Sequence, residues 1–230
     1  PDVLCPGYRI HSSFSDGNPS SYQCGAYANN PGGALLEMSG TSMATPLCAG
    51  AAALVRDYFV GGHHAGGDAT KGFNASAALV KATMIHSAQP AKVQSSSGQW
   101  LYPSTVPNIQ TGYGRIDLSQ GLSFSDSPAR SIFLDREKLG HGEELSLCVA
   151  ASSSVPFKAT LVWTDPAGQI MAERVLVNDL DLVVQSEQGD LWMGNNLTQA
   201  DETYGEYAVR DDLQNAEQVT LSVPSSGLLM

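Results

Sequence analysis

The hydrophobic rhythm of the chain changes near its middle. Up to residue 121 the apolar positions fall at helical spacing or in short isolated runs, and beyond it they alternate in brief segments between turn residues. Leu47, Ala51, Leu54 and Tyr58 recur on one helical face and predict a helix over 46–59. Its other face is apolar as far as Val55, and a helix apolar all round is a buried one. Gly50 within it costs up to about 1 kcal/mol against alanine, which predicts close approach of a neighbouring backbone. Ala77, Val80, Met84 and Ala88 predict a second helix, with Asn74 as N-cap and Gln89-Pro90 as its stop. Val3-Leu4-Cys5 reads as a strand halted by Pro6-Gly7, and residues 34–38 as another short apolar run. Residues 12–33, 61–67 and 94–107 are Gly-, Ser- or Pro-rich and read as loops.

The second half predicts strands at 131–134, 145–149, 157–163, 180–184 and 218–223, separated by clusters such as Thr164-Asp165-Pro166-Ala167-Gly168. A further strand is expected around 227–230, so the sandwich these strands imply reads as incomplete. Two domains are therefore expected, an α/β piece over 1–121 and an all-β sandwich over 122–230.

Composition narrows the partners. Hydrophobic residues at 42% support a sizeable core, and a net charge of -11 disfavours nucleic acid and anionic membranes. No apolar run approaches the length of a membrane span. The chain opens on Pro1-Asp2-Val3-Leu4 as if a strand were already under way, which reads as a fragment of something longer. The cysteines Cys5, Cys24, Cys48 and Cys148 form no Cys-x-x-Cys site, which argues against zinc. Cys5 and Cys24 flank a polar loop and are placed to pair in an oxidising compartment, while Cys48 in the apolar helix reads as a buried free thiol. The sequons Asn74-Ala75-Ser76 and Asn196-Leu197-Thr198 add to an expectation of a glycosylated protein of the extracellular or secretory pathway.

The candidate chemistry centres on Gly40-Thr41-Ser42-Met43-Ala44-Thr45-Pro46. A serine between a glycine turn and a helix start lies where unpaired N–H groups and the helix dipole favour negative charge. A developing oxyanion would be stabilised there. The plainer reading is a helix N-cap. All seven residues match the nucleophile motif of subtilisin-like serine proteases of the peptidase S8 family, Gly-Thr-Ser-Met-Ala-x-Pro. The resemblance implies that Ser42 is the acylating serine, that its backbone N–H is an oxyanion donor, and that the substrates are polypeptides. Asp2-Val3-Leu4-Cys5-Pro6-Gly7 resembles the Asp-Val-x-Ala-Pro-Gly strand of that family, with cysteine where alanine is usual. Leu47 and Cys48 stand where family members often have histidine and valine, and residues 112–118 resemble the segment that closes the catalytic domain.

The second half has its own resemblance. Leu161-Val162-Trp163-Thr164-Asp165, residues 176–182, Gly194-Asn195 and residues 215–219 follow one another as in the C-terminal jelly-roll-like β-domain of the KP-43-like alkaline proteases. The fold so implied is an incomplete, C-terminal segment of a subtilisin-like domain followed by a jelly-roll-like sandwich. Related β-domains bind calcium. Asp179 and Asp181 share a strand face near Asp165, a carboxylate grouping that suits Ca²⁺ and reads equally as a solvated acidic edge. Asp211-Asp212 is a weaker candidate.

A serine nucleophile needs a histidine base held by a carboxylate. The family order of Asp, His, Ser places both partners, and the oxyanion asparagine, before Pro1. Within this chain only His11 precedes Ser42, and neither family motif surrounds it. His63-His64 lie in a Gly-rich loop, and His86 reads as a satisfied helix residue. Two alternatives stay open. One is an α/β-hydrolase, whose order would nominate Asp117 and His141. The other is a non-catalytic pseudoprotease or β-sandwich binding module.

Overall fold

Helix α1, Thr41–Val60, is the longest element. It starts five residues before the predicted Pro46, because the glycine turn itself forms the first turn. Gly40 is the N-cap at φ 152°, a conformation open to glycine, and its carbonyl accepts from the N–H groups of Met43 (3.1 Å) and Ala44 (3.2 Å). Pro46 lies inside the helix and lacks the N–H that would reach the Ser42 carbonyl. The computed structural model describes residues 1–13, 35–103, 106–124, 131–195, 211–222 and 227–230.

The expectation of a fully buried helix holds only at its C-terminal end. Val55, Tyr58 and Phe59 are buried, whereas Leu47 is 42% and Leu54 62% exposed. Gly50 has no described atom near the place a Cβ would occupy, so the predicted backbone approach is not found among the described residues. Helix α2, Ala77–Ser87, crosses the buried end of α1 and contributes Leu79 to the same core, under Phe73 and Phe133. Its N-cap is Ser76, whose Oγ accepts from Leu79 N at 3.1 Å, and not the predicted Asn74. Ser76 has the extended backbone and the three-residue reach that a cap needs.

Short antiparallel pairs make up the remainder. β1 (Ile10–Ser13) pairs with β2 (Leu35–Met38), and β3 (Val93–Gln94), at the start of the predicted 94–107 loop, with β4 (Trp100–Leu101) inside it. A single turn, α3 (Leu118–Gly121), ends the first half. In the second half β5 (Val149–Ala151) pairs with β10 (Gly227–Leu229), β6 (Phe157–Val162) with β9 (Ala216–Leu221), and β7 (Val183–Gln185) with β8 (Leu191–Met193). The described sheets are all two-stranded. Residues 131–134 form no strand: Phe133 instead fills the aromatic cluster, 5.0 Å from the Phe59 ring. Of 145–149 only the last residue enters β5.

The halves are joined where α2 lies on β6. Lys158 Nζ donates to the carbonyls of His86 (2.9 Å) and Ala88 (3.1 Å), satisfying groups at the C-terminus of α2 with a cation. His86 Nδ1 lies 3.1 Å from Thr160 Oγ1, and Gln218 Nε2 donates to the Ile85 carbonyl at 3.3 Å. Tyr113 is buried with Ile85, Ala88 and Ala216, its hydroxyl 2.7 Å from the Ala216 carbonyl and 3.0 Å from Asn195 Oδ1. Burial is the main cause holding that hydroxyl's pKa well above its ordinary value.

Candidate active site

Ser42 occupies the second position of α1 and is exposed. Three features fix the turn that carries it. Gly40 N donates to the Gly7 carbonyl at 2.7 Å. Gly7 lies so close that an added Cβ would stand 2.7 Å from the Gly40 carbonyl oxygen. Arg9 N donates to Ser39 Oγ at 2.8 Å. Inside the helix, Thr45 Oγ1 donates back to the Thr41 carbonyl at 2.9 Å. The Gly40 carbonyl engages Met43 and Ala44, which leaves the Ser42 N–H at the open end of the helix dipole.

The segment bearing Gly7 is itself strapped to the fold. Leu4 N donates to the Gly114 carbonyl (2.8 Å), Ile116 N to the Leu4 carbonyl (3.0 Å), and Tyr113 N to the Asp2 carbonyl (2.8 Å). The cysteine expectations are corrected here. Cys5 is bonded to Cys48, with Cα atoms 5.7 Å apart, so Cys48 is no free thiol. The end of the Val3–Cys5 segment lies beside the second turn of α1, which brings together residues 43 positions apart. Cys24 lies outside the described residues, and Cys148 is free and exposed. Periodicity carries no sign of such a pairing. The one available signal is that both cysteines stand where the resembled family has other residues.

No hydrogen bond joins Ser42 to a histidine among the described residues. His11 faces Glu37 across the β1–β2 pair at 3.4 Å. His63 and His64 follow α1 at its far end, about 27 Å along the axis from Ser42. His86 is buried under β6, where desolvation and then Lys158 push its pKa down to about 4. The α/β-hydrolase order finds no support here. Asp117 is the N-cap of α3 and accepts from Ser119 N (3.2 Å) and Oγ (2.6 Å), and no hydrogen bond joins it to His141.

The three metal candidates differ in their surroundings. Asp165 is committed to its own loop: Oδ2 accepts from Val177 N (2.7 Å), and Oδ1 from Asn178 N and Nδ2 (both 2.9 Å). Those donors, Val177 first, hold its pKa below the ordinary carboxylate value. Asp179 is shifted the other way, by desolvation and then by the charges of Asp181 and Asp212, with Arg174 opposing. Glu217, buried beneath this acidic strip, accepts from Leu182 N at 2.6 Å, and desolvation with Asp181, Asp211 and Asp179 pushes its pKa up to about 7. Among the described residues no three ligand-type side chains converge on one point.

Residues 1–121 match the model of the subtilase family, Peptidase S8. The chain is 32% identical over 96% of its length to the Dictyostelium discoideum serine protease/ABC transporter B family protein tagA, and 29% identical over 96% to tagB. Against tagD of the same organism it is 30% identical over 85%. It spans only 13%, 14% and 13% of the lengths of these three relatives. With the nucleophile motif on the first turn of α1 and the Gly7 strap beneath it, the chain belongs to the subtilase family.

Proposed function

We propose that the protein carrying this chain is a serine endopeptidase that cleaves polypeptides through an acyl-enzyme on Ser42. The observation that carries the reading is the exposed serine on the first turn of a twenty-residue helix, over a turn fixed by the Gly40–Gly7 hydrogen bond. Ser42 Oγ attacks the scissile carbonyl while a histidine base takes its proton. The Ser42 N–H then holds the oxyanion, the base returns the proton to the leaving amine, and water hydrolyses the ester. The histidine, its aspartate and a second oxyanion donor come from outside residues 1–230. The exposed apolar positions Leu47 and Leu54 support this, as a face for the remainder of the catalytic domain. Residues 1–121 are then the C-terminal part of that domain, and 122–230 a jelly-roll-like β-domain. The relatives' names couple a protease to an ABC transporter, and the subtilase match of residues 1–121 corresponds to the protease.

In the full-length protein, Ser42→Ala should abolish fluorophosphonate labelling and lower turnover by roughly 10⁶-fold. Labelling that survives the substitution overturns the assignment. A full-length wild type that folds yet neither labels nor cleaves is the result expected of a pseudoprotease or binding module. Residues 1–230 alone should show no Ser42-dependent cleavage.

Calcium belongs to the same proposal. Asp179 and Asp181 repel one another within the acidic strip, and a divalent ion there relieves that repulsion while Asp165 holds the adjoining loop. Melting temperature should rise with calcium, and Asp179→Ala or Asp181→Ala should blunt the response. An unchanged response in both variants removes these residues from the ligand set. The disulfide supports an extracellular or secretory-pathway location, where thiols oxidise and Asn74 becomes open to glycosylation.

A further inference from the structure

We propose that the Cys5–Cys48 disulfide is a positioning element of the active site, pinning the N-terminal half of α1 to the strap that underlies the Ser42 turn, so that reducing it disables the serine. The proposal rests on Ser42 being the nucleophile. Its basis is the uneven support of α1. The buried residues of that helix, Val55, Tyr58 and Phe59, all lie in its C-terminal third. Towards the other end, the contacts with the strap among the described residues include the Gly40–Gly7 hydrogen bond, the Arg9–Ser39 hydrogen bond and the disulfide. From Val55 to Ser42 the lever is about 20 Å. A pivot of only about 3° at the packed end therefore moves Ser42 by about 1 Å, and a misplacement of that size can cost about 10²-fold in rate.

The other end of the bond is fixed. Cys5 follows Leu4, which is hydrogen-bonded on both sides to Gly114 and Ile116, and Asp2 forms an ion pair with Lys81 of α2 at 3.3 Å. The disulfide therefore joins the nucleophile helix to a segment tied to the core. It does so six residues beyond Ser42, close enough to control where the first turn points. Both cysteines are half-buried, within reach of a small dithiol. Reduction breaks one S–S bond and yields two thiols, while the dithiol loses two electrons and two protons and closes to its cyclic disulfide.

The test uses the full-length protein, assayed well below its melting temperature. In Cys5→Ala/Cys48→Val, kcat and the rate of fluorophosphonate labelling should fall at least tenfold, with KM changed by no more than about twofold. Dithiothreitol should produce the same loss in wild type, reoxidation with oxidised glutathione should reverse it, and the double variant should not respond. Unchanged kcat in the double variant, or a dithiol loss that persists in it, overturns the positioning role. If the double variant does not accumulate as folded protein, the reversible dithiol response of folded wild type decides the matter. Labelling that persists in Ser42→Ala is a separate failure, of the nucleophile reading itself.

Discussion

The two ends of α1 are built on opposite principles. The C-terminal end is held by side chains: Phe59 is fully buried, its ring 5.0 Å from Phe133 and 5.3 Å from both Tyr58 and Phe73. The N-terminal end, where Ser42 stands, is held by backbone and sulfur: Gly7 against Gly40, and Cys5 bonded to Cys48. On the proposed function, the Ser42 hydroxyl cannot be packed over without excluding its substrate. The site is therefore fixed from beneath by groups with no bulk, and the bulk is placed about 20 Å away. Stability and chemistry are thereby separated along one helix, so a substitution at either end should disturb one far more than the other.

The largest contrast should come from Phe59→Ala. Emptying a fully buried aromatic site costs about 3–5 kcal/mol, read by denaturant unfolding of the full-length protein. Protein that remains folded should keep its Ser42 labelling rate. Leu54→Ala, at a 62% exposed position on the same helix, sharpens the comparison. It should cost under about 0.5 kcal/mol if that face stays in solvent. It should cost about 2 kcal/mol or more if, as proposed, the rest of the catalytic domain covers it.

The junction of α2 with β6 and β9 carries a pH dependence of its own. The pKa of His86 is pushed down to about 4 from an ordinary 6.5, so the unfolded chain binds the proton more tightly. Its stabilising contribution is present above pH 6.5 and is lost as pH falls towards 4, by about 3 kcal/mol in all. Glu217 runs the other way. Raised to about 7 from 4.5, it favours the folded state at low pH and withdraws about 3 kcal/mol as pH rises through 7. The two slopes oppose each other between pH 4.5 and 6.5. Glu217→Gln keeps an acceptor for Leu182 N and removes one slope, so melting temperature should then fall steeply on acidification and stop falling at alkaline pH. A profile like that of wild type would show that Glu217 does not titrate in the folded protein as its burial requires.

Gly7→Ala tests the other end. The new methyl would stand 2.7 Å from the Gly40 carbonyl and 3.1 Å from Ala44 Cβ, so the strap or the turn must move. Overpacking of this kind costs about 1–3 kcal/mol. Here the sharper effect should be on catalysis, with the labelling rate falling by more than the loss of stability accounts for. Equal stability losses with unaltered labelling would break the comparison.

What could be read from the sequence follows the same division. The subtilase family was legible because the seven-residue motif around Ser42 is contiguous, and β6 because Phe157-Lys158-Ala159-Thr160-Leu161 alternates apolar with polar, whereas β9 begins two residues before the expected 218–223. The start of α1 was not, because Pro46 imitates a first helical position while the glycine turn had already begun the helix. Residues 131–134 have a strand's composition, yet Phe133 is used as a plug between aromatic rings, and a four-residue apolar run does not distinguish the two uses. The Cys5–Cys48 pairing depends on where the strand end meets the helix, which no local pattern encodes. Glu217 was missed because a lone carboxylate beside Gln218 reads as a solvent-facing position. Burial reverses that reading.

The smallest expected effect concerns Ser76, on the packed side, where the sequon and the helix cap share one hydroxyl. Ser76 Oγ accepts from Leu79 N and donates to Asp135 Oδ1 at 2.5 Å, while Ser76 N donates to Asp135 Oδ2 at 3.0 Å. Ser76→Ala removes the cap and one partner of a nearly buried carboxylate, and also destroys the Asn74-Ala75-Ser76 sequon. The cap alone is worth about 1 kcal/mol. Asn74→Gln destroys the sequon but leaves the cap, forfeiting only the long 3.4 Å hydrogen bond from Arg56 Nη2. In protein made without glycosylation, Ser76→Ala should therefore lose at least about 1 kcal/mol, Ser76→Thr should lose little, and Asn74→Gln should stay within about 0.5 kcal/mol of wild type. If a glycan is carried at Asn74 in the native host, Asn74→Gln and Ser76→Ala should each raise electrophoretic mobility by one glycan step while Ser76→Thr does not. All three should leave Ser42 labelling unchanged, because the Ser76 cap lies at the N-terminus of α2 and touches neither the Ser42 turn nor Lys81, which pairs with Asp2. A labelling defect in Ser76→Ala would mean that the two ends of α1 are coupled after all.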